Sequence, residues 1–355
     1  MGAALPNEAT DLIDGLYAGD ELTRKELVRL LKLRSKETMA YAAQKADEVR
    51  RRIYGTDVYV RGLIEFSSYC KNDCYYCGIR CSNAKAQRYR LLDDEIFGCV
   101  DIGYELGYRT FVLQSGEDPY YTDEHICDLV RGIKRSHPDC AVTLSIGEKE
   151  HDSYQAYFDA GADRYLLRHE TIDDEHYSKL HPAQMSREHR VKCLYDLMDI
   201  GYQVGCGIMV GSPCQTPENI ADDLLFMKDF KPHMVGVGPF IPATGTPFEN
   251  EAQGSVDETL YLISIIRLLL PKVLLPATTA LGTANPVGRE LGIKAGANVV
   301  MPNISPTEVR DKYTLYDNKI CTGDEAPQCK DCLSARVAGA GYRMVLTRGD
   351  HPDME

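Results

Sequence analysis

The chain has 355 residues, 44% of them hydrophobic and 26% charged, which suits one large α/β domain or two ordinary ones and excludes bulk disorder. Forty Lys and Arg against 53 Asp and Glu leave a net charge of −13, which argues against a general nucleic-acid binder. No apolar run reaches the roughly 20 residues a membrane helix needs, and Met1 to Asp11 carry no basic, then apolar leader, so a cytoplasmic protein without membrane contact is expected.

Residues 1–56 read as a helical extension. Thr23 and Glu26 have capping-box spacing, and Met39, Ala42, Ala43, Ala46, Val49 and Ile53 repeat at helical intervals before Gly55. From Asp57 the pattern alternates. Strands are expected at 57–66, 109–114, 140–146, 163–168, 202–210, 233–239, 273–277 and 297–301, with helices between them. Four helix-to-strand junctions share one signature, at Gly107, Gly161, Gly201 and Gly296, where glycine can take the left-handed residue that stops a helix. Runs such as Phe111-Val112-Leu113 are apolar throughout, as in parallel strands covered on both faces. Eight such units across 57–302 predict an α/β fold of the (β/α)8 TIM-barrel type, with a doubly wound sheet as the alternative. Residues 303–355 form a loop-rich appendix.

Thirteen cysteines, an odd number at uneven spacing, do not suit a disulfide framework. Seven are scattered singly, and most of these read as small buried residues. Cys70, Cys74 and Cys77 instead form C-x3-C-x2-C just after the first strand. Three thiolates this close can hold a 4Fe-4S cube and leave one iron open to an outside ligand. A zinc knuckle or a closed ferredoxin-type cluster would each recruit Cys81 as a fourth ligand. Further along, Arg164, Arg168 and Glu170 alternate onto one side of an extended strand, which suits an anionic ligand at a barrel mouth or a surface salt-bridge cluster. A second triplet, Cys321, Cys329 and Cys332, has the spacing of an auxiliary iron-sulfur cluster (2Fe-2S or 4Fe-4S), with zinc as its rival.

The first cysteine motif resembles that of the radical S-adenosylmethionine (SAM) superfamily, and three further segments fit the same pattern in series. These are Gln114-Ser115-Gly116-Glu117-Asp118 after the second strand, Arg164 to Glu170 after the fourth, and Gly207-Ile208-Met209-Val210-Gly211 at the fifth. Longer stretches, Leu113 to Tyr121, Asp163 to Thr171, Gly236 to Pro242 and Pro276 to Ala280, resemble the FeFe-hydrogenase maturases of the HydE family, relatives of biotin synthase and methylornithine synthase. The resemblance implies a 4Fe-4S cluster on Cys70, Cys74 and Cys77 that cleaves SAM to a 5′-deoxyadenosyl radical. It places Tyr76, Gln114, Ser115 and Met209 around SAM, Glu170 on its ribose and Arg190 on its carboxylate. Thr143, Arg164, Arg168, Thr278, Thr279 and Tyr316 become the polar lining of the substrate cavity, although strand-end hydrogen bonding would explain Thr278 and Thr279 equally well. The implied role is assembly of the hydrogenase diiron subcluster from a small iron-containing or cysteine-derived unit. Partner maturases HydG and HydF and a low-potential electron donor go with that role. The alternatives are a biotin-synthase-like or methylornithine-synthase-like enzyme on an organic substrate, and a non-catalytic iron-sulfur carrier.

Overall fold

The computed structural model describes residues 7–323 and 326–354. Three helices come first, α1 (Asn7–Ala18), α2 (Arg24–Lys32) and α3 (Lys36–Tyr54). The Thr23 and Glu26 side chains cap α2 reciprocally, and Gly55 stops α3 at φ 58°. Buried Arg50 ties α3 to the barrel by donating to the carbonyls of Gly55, Asp57 and Ala297.

Among the described residues nine strands follow: β1 (Asp57–Val60), β2 (Gly62–Ser67), β3 (Thr110–Ser115), β4 (Ala141–Ser145), β5 (Arg164–Leu166), β6 (Gln203–Val210), β7 (Met234–Pro239), β8 (Val299–Val300) and β9 (Arg343–Val345). Strands β2 to β7 form one parallel sheet in chain order, and β8, β1 and β9 form a second. Backbone bonds carry the ladder round between them. Leu274 exchanges bonds with His233 and Val235, and Leu275 accepts from Asn298 and Val299. Tyr59, Arg61 and Leu63 then donate in step to Asn298, Val300 and Pro302. The circuit is therefore a barrel of parallel staves, as the alternating pattern predicts. The expected first strand, 57–66, is interrupted at Arg61: its lower half, β1, also pairs with β9, while β2 enters the main sheet. The four junction glycines all have positive φ, from 92° to 117°.

Outward side chains such as Phe111, Val142, Val204 and Val235 pack under the helices, while polar ones such as Glu65, Gln114 and Thr143 alternate with them. The segment after β8 reaches both ends of the barrel. At the top, where β-strands end, Leu315 O accepts from Gly78 N and Lys319 pairs with Glu65 at 2.7 Å. At the bottom, beyond β9, Asp350 pairs with Arg164 at 2.6 Å and takes a hydrogen bond from Gln203. Among the described residues no helix is long and apolar enough to cross a membrane.

Candidate active site

The loop after β2 brings Cys70, Cys74 and Cys77 together at the top of the barrel, each partly buried. Glycine at 116 is required there, because a Cβ would run into the Tyr69 carbonyl and the Cys70 side chain. Cys74 Sγ lies 3.8 Å from Met185 Sδ, and Cys70 Sγ accepts from Asn72 N. Burial, then the charge of Cys70, pushes the Cys77 thiol up to about 12, and burial likewise raises Cys70 and Cys74. Thiols raised this far stay protonated unless a cationic metal centre replaces the protons. The three charges bear on one another, whereas Cys81 is exposed on the next turn. Three partly buried thiols offered by one loop fit a cluster held by three protein ligands.

Cys77 opens on a cavity of about 330 Å³ that runs down the barrel. Tyr76, Gln114, Ser115, Glu170, Arg190 and Met209 line its upper part. Glu170 is a buried non-glycine residue at φ 64°, held there by donation of its N–H to Gly207 O, and its Oε2 has no hydrogen-bond partner among the described residues. A strained backbone and an orphaned carboxylate oxygen in a cavity mark a group shaped for a ligand. Beneath this turn, His169 Nδ1 accepts from Gly207 N, and its Nε2 lies 3.5 Å from Asp223 Oδ1, both side chains fully buried.

Arg190, on the helix Arg187–Ile200, is anchored by Glu148 Oε1 at 2.6 Å, the Tyr177 hydroxyl at 3.2 Å and the Arg168 carbonyl at 3.1 Å. The Tyr76 ring meets His181 edge-on, with its hydroxyl 3.2 Å from His181 Nε2. Burial and then Arg190 lower His181 to about 3, so it is neutral at physiological pH. Arg168, Thr278, Thr279 and Tyr316 line the same cavity, together with Cys321. Thr279 Oγ1 accepts from Arg289 at 3.2 Å, and the same guanidinium lies 3.5 Å from Cys321 Sγ.

Two residues expected in this lining lie elsewhere. Arg164 points to the bottom of the barrel, bonded to Thr110, Gln203, the Arg348 carbonyl and Asp350. Thr143 shares with it a void of about 10 Å³, also lined by buried Arg61. Strand β5 is only three residues long, so the alternation that would align Arg164 with Arg168 and Glu170 does not persist. The second cysteine triplet, read as part of the loop-rich appendix, sends Cys321 to the cavity wall. Cys332 is exposed on the helix Ala326–Gly339, and the Cys329 side chain falls outside the described residues. Glu65, Lys319, Tyr313, Arg289 and Glu148 also belong to the site or its supports and carry no sequence signal of their own.

Residues 64–227 match the family model of the radical SAM superfamily. The chain is 44% identical over 323 residues to the FeFe hydrogenase maturase subunit HydE of Thermotoga maritima, covering 91% of this chain and 92% of that protein. It is 33% identical to the 3-methylornithine synthase of Methanosarcina barkeri, over 88% and 89% of the two chains. The crystal structure of methylornithine synthase (PylB) superposes with a TM-score of 0.84 at 30% identity, over 94% and 97% of the chains. The maturase HydG superposes at 0.81 with 22% identity, over 97% of this chain and 76% of that one, which speaks for the fold alone. With the three-cysteine loop at the mouth of a polar barrel cavity and near-full-length identity of this degree, the chain belongs to the radical SAM superfamily, in the HydE family of FeFe-hydrogenase maturases.

Proposed function

We propose that the chain is a radical SAM enzyme that works in assembly of the diiron subcluster of FeFe hydrogenase, on a small iron-containing or cysteine-derived unit held in the barrel. One observation carries the reading: Cys77 opens on a cavity whose wall also holds the orphaned carboxylate of Glu170 and the cations Arg190 and Arg168. The superfamily implies a 4Fe-4S cluster and SAM, and the cluster, when bound to Cys70, Cys74 and Cys77, supplies the electron that cleaves SAM to a 5′-deoxyadenosyl radical.

The chain's own residues then have distinct tasks. Arg190 offers its guanidinium to the SAM carboxylate, and Glu148 and Tyr177 hold it in place. Glu170 Oε2 accepts from the ribose diol. Tyr76, Met209 and Phe240 cluster into an apolar slot for adenine, while Gln114 and Ser115 border it with polar atoms. Arg168, Thr278, Thr279 and Tyr316 present a cation and hydroxyls to an anionic iron carbonyl cyanide unit, which HydG supplies and HydF receives. The buried Lys319–Glu65 pair holds the tail across the barrel top and keeps water from a reactive radical. Cys321, Cys329 and Cys332 hold an auxiliary iron-sulfur cluster, 2Fe-2S or 4Fe-4S, a reading supported by their C-x7-C-x2-C spacing.

The test is co-expression of hydrogenase with HydG and HydF, with and without this protein, alongside an assay for 5′-deoxyadenosine. The proposal expects active hydrogenase only when the protein is present. Equal maturation without it, or turnover of an amino acid into a rearranged product, removes the maturase reading in favour of a methylornithine-type enzyme.

A further inference from the structure

A cluster of metal-type donors lies behind the cavity wall, outside the cysteine motifs. His189 and Cys193 stand one turn apart on the helix Arg187–Ile200, and Glu148 faces them from the loop after β4. Residues four apart on a helix share a face, so backbone geometry alone brings the imidazole and the thiol together.

His189 Nε2 lies 3.5 Å from Glu148 Oε2 and 3.8 Å from Cys193 Sγ, and the three donor atoms all lie within 4.8 Å of one another. In a tetrahedral zinc site with bonds of about 2.0–2.1 Å to nitrogen or oxygen and about 2.3 Å to sulfur, the ligand atoms stand roughly 3.4–3.6 Å apart. The spacing here approaches those edges before any metal is placed. The two carboxylate oxygens of Glu148 are also divided: Oε1 takes Arg190 at 2.6 Å and Oε2 faces His189. A cation on Oε2 therefore need not displace the arginine.

We propose that Glu148, His189 and Cys193 form a binding site for a zinc-class divalent cation, completed by water. One sulfur, one imidazole nitrogen and one carboxylate oxygen suit a borderline-soft ion rather than magnesium or calcium. Cys193 is buried, whereas the His189 side chain is 39% exposed, which leaves the site an approach from solvent. Burial pushes both the Glu148 carboxyl and the Cys193 thiol upward, an imbalance that a cation corrects. Binding releases the thiol proton, which Cys193 Sγ, 3.5 Å from the Lys149 carbonyl oxygen, otherwise donates there. Arg190 lies between the two helix ligands in sequence, so the ion would fasten its helix to the β4 loop. Glu148 is shared with the anchor of Arg190, whereas His189 and Cys193 have no part in the reaction assigned to the cavity.

The test uses the full chain with its iron-sulfur clusters loaded, so that the cluster cysteines are occupied, and zinc chloride as the probe. We expect wild type to take up about one equivalent more zinc than His189→Ala and Cys193→Ser, with a zinc-dependent rise in melting temperature that both variants lose. Zinc-edge absorption should show one sulfur at about 2.3 Å among lighter ligands. Equal zinc uptake by wild type and His189→Ala, or a zinc shell with no sulfur, overturns the proposal. The half-exposed His189→Ala variant decides the matter if the buried Cys193→Ser fails to fold.

Discussion

Two arginines four residues apart, Arg164 and Arg168, end at opposite ends of the barrel and show how the ends differ. Arg164 at the bottom is saturated: Thr110, Gln203, the Arg348 carbonyl and Asp350 take its donors, and its side chain is 3% exposed. Arg168 lines the upper cavity, and its guanidinium has no hydrogen bond or ion pair among the described residues. The same contrast separates Asp350, gripped by two arginines and a glutamine, from Glu170, whose Oε2 is unpartnered. At these four positions, charges with a full set of partners hold the fold and charges left open face the cavity; Arg190 combines the two, anchored by Glu148, Tyr177 and the Arg168 carbonyl while lining the cavity.

Substitutions sharpen this division, and the largest effect belongs to the cysteine loop. Cys77→Ala is expected to drop 5′-deoxyadenosine formation to background while the protein stays folded by circular dichroism. Next, Arg164→Met leaves Asp350 short of a buried partner and is expected to cost about 3 kcal/mol of stability by urea unfolding, with SAM cleavage per folded molecule unchanged. Arg168→Met should do the reverse. Its urea midpoint stays at the wild-type value, while maturation falls roughly 10- to 100-fold, the worth of about 1.5–3 kcal/mol from a charged hydrogen bond. Loss of stability in Arg168→Met with maturation intact would erase the distinction between the two ends.

Smaller effects are expected from the carboxylates. Glu170→Gln keeps the shape and removes the charge, and equilibrium binding should show SAM weakened about 10-fold. Asp350 lies below the ordinary carboxylate range because Arg348, Arg164 and Gln203 outweigh its burial. Its folded pKa is below its unfolded value, so its stabilisation is complete above the unfolded value of about 3.9 and fades as pH falls below it. The urea midpoint of wild type should therefore fall more steeply than that of Asp350→Asn as pH drops from about 5 to 3. Parallel curves would show that Asp350 holds nothing at the bottom.

Most of the barrel was legible in the sequence because its signals are local. Glycine stops at 107, 161, 201 and 296, apolar runs and capping residues each act within one turn or strand. The cysteine loop and Glu170 were legible for the same reason, since each follows directly from its own strand. The depth of a residue along the barrel axis was not. Arg164 and Arg168 look alike in a strand pattern, and only the early end of β5 and the return of the tail to Arg348 and Asp350 separate them. The pairing of Lys319 with Glu65 joins residues 254 apart, and neither carries a motif. Cys321 reads as part of a distant appendix, yet Arg289 brings it to the cavity beside Thr279.

The central claim is that three cysteines, and no fourth, hold the cluster whose open iron meets SAM. The direct measurement is electron paramagnetic resonance of the reduced protein with and without SAM, in wild type and in Cys81→Ala. The account predicts a SAM-dependent change in the cluster signal that is the same in both proteins. A signal indifferent to SAM in wild type, or a cluster lost with Cys81, would contradict it.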